Sequence, residues 1–84
     1  MKFRKKPEYV EAVPFQNTRE GKAALCELGL DRVHIGVVGG KPSLTFDSLI
    51  GTVTCMEGDY VTREDGIFDA WNKETFERTY EAVQ

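Results

Sequence analysis

The sequence predicts a small α+β domain. Its core is a mainly antiparallel sheet of hairpins, with one short helix after the first strand and a C-terminal helix packed on the sheet. Three observations predict this. Between Val33 and Trp71 apolar residues recur at every second position, in runs broken by glycine turns, which is strand patterning. Thr18 opens a segment of helical spacing that closes at Gly29. Behind Asn72, residues Phe76, Tyr80 and Val83 fall at i, i+4 and i+7, one face of a helix.

In chain order, Pro7 suits a strand start because it has no ladder donor to lose. Glu8 to Phe15 then read as a first strand, with Val10 and Ala12 on one face and Tyr9, Val13 and Phe15 on the other. Pro14 places that strand at an edge or a bulge. Thr18 is the expected N-cap of a helix running to about Leu28, with Ala24, Leu25 and Leu28 on its packed side and Gly29 past its end. Gly21 in the first turn costs up to about 1 kcal/mol against alanine, so this helix depends on packing. Cys26 reads as a small core or boundary residue.

Val33 to Val38 is rich in β-branched residues and reads as a strand, turned by Gly39-Gly40 into a partner carrying Leu44 and Phe46. Leu49 to Met56 alternates again, with Leu49, Gly51, Val53 and Cys55 on one face. Glu57-Gly58-Asp59 breaks it. Tyr60 to Arg63 then pairs back through Asp65-Gly66, a two-residue hairpin signal. The implied pairs are Glu64 with Ile67, Arg63 with Phe68, Thr62 with Asp69, Val61 with Ala70 and Tyr60 with Trp71. Asn72 caps the last helix.

At 84 residues the chain is expected to be one domain, residues 1–84, with residues 1–6 as a flexible basic arm. A domain of this size buries only roughly 60% of its unfolded surface. Two cysteines make no disulfide framework, which favours a reducing compartment. With a polar start, no apolar leader segment is expected, and no apolar run approaches the ~20 residues of a membrane span. Lys2, Arg4, Lys5 and Lys6 hold four of the eleven basic residues, leaving seven against fourteen acidic ones in the remaining chain. An acidic body does not favour nucleic acid.

Catalysis is not expected. A nucleophile needs a base, and the base an orienting group. The lone His34 reads as a partly exposed strand residue. Asp47, Asp59, Asp65 and Asp69 lie at turns, where short carboxylates serve backbone donors. The glycines lack a phosphate-loop lysine. Two cysteines and one histidine at this spacing do not make a structural zinc site. No metal or cofactor is expected. Candidate binding residues are Tyr60, Thr62, Arg63, Asp69 and Trp71 on the last hairpin, because Tyr and Trp are enriched at binding hot spots. The competing reading is that these aromatics pack under a helix.

The two ends carry a resemblance. Arg4-Lys5-Lys6-Pro7 with Val10-Glu11-Ala12, then Gly58-Asp59-Tyr60-Val61 and Gly66, then Phe76-Glu77-Arg78-Thr79-Tyr80-Glu81-Ala82-Val83 occur in that order. This resembles a widespread family of small uncharacterised proteins of tailed bacteriophages and prophages. The sequence departs from that pattern at Glu57, where the family carries proline, and at Asp69-Ala70-Trp71. Residues from Thr18 to Thr54 carry no resemblance. The resemblance implies a phage protein working in the host cytoplasm, and carries over no catalytic residue. The expected function is an accessory protein that binds without catalysis, to a host protein, as an inhibitor or anti-defence factor. The alternatives are sequestration of a nucleotide-like small molecule, with Arg63 and Lys73 supplying charge beside Trp71, and a minor virion or assembly component. Any self-association is expected as a homodimer through a sheet edge or the aromatic hairpin.

Overall fold

The computed structural model describes residues 1–2, 10–30 and 32–80. The elements run β1 (Glu11–Pro14), α1 (Arg19–Leu28), β2 (His34–Val38), β3 (Lys41–Ser48), β4 (Gly51–Met56), β5 (Tyr60–Glu64), β6 (Ile67–Trp71) and α2 (Lys73–Thr79). This is the α+β class that the patterning predicts. The strands divide into two antiparallel sheets of three, ordered β1-β5-β6 and β2-β3-β4.

The split occurs at Glu57-Gly58-Asp59. The Asp59 carboxylate accepts from Met56 N–H at 3.0 Å, and Gly58 takes a φ of 98°, a left-handed value that suits glycine. Phe15 bridges the same turn: its N–H donates to Asp59 O and its carbonyl accepts from Gly58 N–H, both at 2.8 Å. The chain is thereby steered off β4 and onto β1, so β5 pairs with β1 and β6. Sheet β2-β3-β4 is built from consecutive strands, whereas the other sheet joins Val13 to Val61.

Thr18 caps α1, its hydroxyl accepting from Gly21 N–H at 3.0 Å, and Gly29 ends the helix at φ 106°. A side chain at Gly21 would place a Cβ 2.3 Å from the Gln16 carbonyl oxygen. The glycine that propensity counts as a cost is therefore the residue that lets the helix sit on its own entry loop. One core joins both sheets and α1: Phe15, Leu25, Leu28, Leu30, Leu44, Phe46, Cys55 and Val61. Burying such side chains contributes roughly 1.5–3 kcal/mol each.

Three expectations are corrected. Leu49 and Ile50 form the β3–β4 turn, 86% and 58% exposed, and β4 starts only at Gly51. Two branched residues imitated a strand start there. Cys26 is exposed, because it falls on the side of α1 away from Leu25 and Leu28. Helix α2 stops at Thr79, with Tyr80 extended as its C-cap. The expected Val83 contact lies outside the described residues, as do Pro7, Glu8 and Tyr9 of the expected first strand and most of the basic arm.

Candidate functional site

The Asp65-Gly66 turn has φ values of 52° and 77°, both positive, as a two-residue hairpin turn of the favoured hand requires. It fixes the register that the sequence implied, from Glu64 opposite Ile67 to Tyr60 opposite Trp71. Because side chains alternate, Tyr60, Thr62, Glu64, Ile67, Asp69 and Trp71 share one face of this hairpin. Val61, Arg63, Phe68 and Ala70 share the other. Val61 is fully buried there, with Phe68 and Ala70 packed against the core.

Helix α2 covers one end of the first face. Asn72 Oδ1 accepts from Glu74 N–H at 3.0 Å and starts the helix immediately after β6. Phe76 then lands on Tyr60, with ring centroids 4.3 Å apart and stacked. Trp71 meets Phe76 and Tyr80 edge-on, at 6.3 and 5.6 Å. Tyr60 Oη donates to Glu77 Oε1 at 3.3 Å. Burial, then the charge and hydrogen bond of Glu77, push the Tyr60 phenol above its ordinary value, so it stays protonated. Tyr60 therefore serves helix docking.

The other end of that face is open. A cavity of about 220 Å³ lies between the hairpin and the β3–β4 turn, lined by Ile50, Thr62, Glu64, Asp65, Ile67, Asp69 and Trp71. The turn is held there by Ser48, whose hydroxyl donates to Phe68 O at 2.6 Å. Thr62 forms part of the lining at 3% exposure, with its hydroxyl 3.4 Å from Asp69 O. Asp69 Oδ1 accepts from Ala70 N–H at 2.7 Å, which orients the carboxylate. Ile50 and Ile67 supply exposed apolar rim.

Of the five candidates, three line the cavity: Thr62, Asp69 and Trp71. Tyr60 sits beside it under α2. Arg63 is on the opposite face of the hairpin, where its Nη1 donates to Leu28 O at 3.1 Å and its guanidinium lies 5.8 Å from the Phe68 ring centroid. It supplies the positive charge that the last turn of α1 lacks. Arg63 therefore cannot join Lys73 beside Trp71 in an anion site. Beyond the five candidates, Glu64 and Ile67 also line the cavity, and strand alternation places them on the same face. Ile50 had no sequence signal, since only tertiary docking of a turn brings it there.

Chemically, the cavity offers carboxylates, an indole and aliphatic rim, and none of the described residues lining it is basic. His34 is exposed on the other sheet. Burial, with Asp59 nearby, pushes the Cys55 thiol up to about 12, so it is no thiolate at neutral pH. Among the described residues no group of three or more His, Cys, Asp or Glu is arranged to hold a metal, and no helix is long and apolar enough to cross a membrane. No family model matches the chain, and neither do any curated protein or solved structure.

Proposed function

We propose that this is a small phage-encoded accessory protein that acts without catalysis, by binding a host protein in the host cytoplasm as an inhibitor or anti-defence factor. The contact surface is the open end of the β5–β6 hairpin with the β3–β4 turn beside it. One observation carries this reading: exposed Ile50 and Ile67 gather at a cavity walled by Trp71. Exposed apolar groups around a concave, partly polar surface are what protein contact sites present. The phage setting rests on the resemblance at the two ends of the sequence.

The nucleotide-sequestering alternative is disfavoured by volume and by charge. Sites that engulf small ligands run roughly 300–1,000 Å³, and this cavity has about 220 Å³. Its carboxylates would also repel phosphate. Self-association is a second reading, favoured by β2: Val37 and Val38 are 72% and 55% exposed on an edge strand.

The test is capture from host lysate with the native protein, with Ile50→Ser/Ile67→Ser, and with Glu27→Gln on α1 as a distant control. The expected result is one dominant host protein that the control retains and the double variant loses. Equal capture by all three, or stoichiometric recovery of the protein in purified particles, refutes the proposal. Sedimentation of native and Val37→Lys protein tests the dimer reading.

A further inference from the structure

Resting on that contact surface, we infer that the cavity receives one arginine side chain from a basic segment of the protein partner. Its size suits a single side chain, being too small for a ligand of nucleotide dimensions. Its lining has three parts that a guanidinium uses together. Glu64, Asp65 and Asp69 give carboxylate acceptors, which match its fork of donors. Trp71 gives an aromatic wall, the ring type most favourable to a cation. Ile50 and Ile67 give apolar contact for the methylene stem.

The fold also keeps the cation of this hairpin away. Arg63 lies between Thr62 and Glu64 in sequence, yet alternation turns it to the other face, where the Leu28 carbonyl engages it. Among the described residues no basic side chain lines the cavity beside its carboxylates. A partner presenting arginine on a basic surface meets complementary charge, which steers association and selects against acidic partners. The same lining favours arginine over lysine: a planar ion stacks and bonds two acceptors at once, which a point charge does not.

The experiment uses the full chain, isotopically labelled, at low salt, titrated with an end-blocked pentapeptide of glycines around a central arginine. Counterparts with lysine and with citrulline, the neutral isostere, are run alongside. Expected are saturable shifts at the amides of Thr62, Glu64 and Asp69 and at the Trp71 indole N–H. Binding should be about tenfold weaker for citrulline, intermediate for lysine, and weakened severalfold by raising salt from about 0.05 to 0.3 M. The amide variant Glu64→Gln/Asp65→Asn/Asp69→Asn should lose the response. Its fold is protected, because asparagine tolerates the left-handed turn position and keeps an oxygen for Ala70 N–H.

Equal shifts with arginine and citrulline, or a response confined to other surfaces, overturn the inference. A response that appears only after Arg4, Lys5 and Lys6 are changed to alanine identifies the chain's own basic segment as the occupant and overturns the partner assignment. If no peptide binds while host capture still depends on Ile50 and Ile67, the contact surface stands and the arginine assignment falls. If capture is independent of those residues as well, both fall.

Discussion

Changing Gly21 to alanine should destabilise the protein, against the ordinary rule for helices. In an unobstructed helix the change gains about 1 kcal/mol. Here the new Cβ would lie 2.3 Å from Gln16 O, and 3.0 Å from both its carbonyl carbon and its Cβ. Gln16 would have to move by about 0.7 Å merely to reach the 3.0 Å below which such contacts essentially never occur. Its neighbours resist that motion. Phe15 is fully buried and held at both backbone groups by the Gly58-Asp59 turn, and Asn17 N–H donates to Glu57 Oε2 at 3.0 Å. Overpacking costs about 1–3 kcal/mol, and a backbone oxygen at 2.3 Å puts this site in the upper half, about 2–3; less the helix gain, the expected net loss is about 1–2 kcal/mol. For a chain of this size that lowers Tm by about 5–15 °C, read by calorimetry or circular dichroism, with the urea midpoint falling at constant slope. Ala23→Gly, at an exposed position of the same helix, should cost about 1 kcal/mol and serves as the reference. A Gly21→Ala protein melting at or above the native temperature would show that the entry loop yields freely and would refute the packing argument.

Gly66→Val should destabilise by more than 1 kcal/mol, because φ of 77° strains a β-branched residue, while Gly66→Asn is tolerated; thermal melts of the pair check this. Arg63→Gln should lower stability by about 1 kcal/mol through the lost contact at the end of α1, yet leave host-protein capture intact, which separates it from the cavity residues. In native protein a thiol reagent should modify Cys26 at once and Cys55 only on unfolding. Since the Cys55 thiol is raised from 9.0 to about 12 in the fold, the stability it contributes is complete below pH 9 and is lost as pH rises towards 12. Urea titrations across that range should show the decline, and Cys55→Ala should flatten it, Tyr60 contributing in the same sense.

The fold was legible wherever local chemistry dictated it. Thr18, Gly29 and Asn72 each act on their own neighbours, so the helix ends could be read directly. The Asp65-Gly66 turn imposed a register through five pairs. What sequence patterning hid was tertiary. The alternation of Leu49 and Ile50 looked like strand because exposure, not pattern, distinguishes a turn from a buried face. The division into two sheets depends on Phe15 bonding a turn far along the chain. The candidate site was half legible for the same reason: Thr62, Asp69 and Trp71 follow from one hairpin, whereas Ile50 comes from another. Arg63 differs again: it is adjacent to the site in sequence, but strand alternation alone sends it to the opposite face.

The separation between Val13 and Val61 sets an order for synthesis. Strands β2, β3 and β4 are neighbours in sequence and can pair as soon as they emerge. At roughly 5–20 residues per second, β1 waits about 2–10 s for β5. During that interval Phe15 and the apolar side of α1 have neither the Gly58-Asp59 turn nor Val61 to close over them. A chain halted before Glu57 is therefore a meander whose helix has only Leu44, Phe46 and Cys55 to pack on, and the face that bears Thr62, Asp69 and Trp71 comes into existence only with the final hairpin.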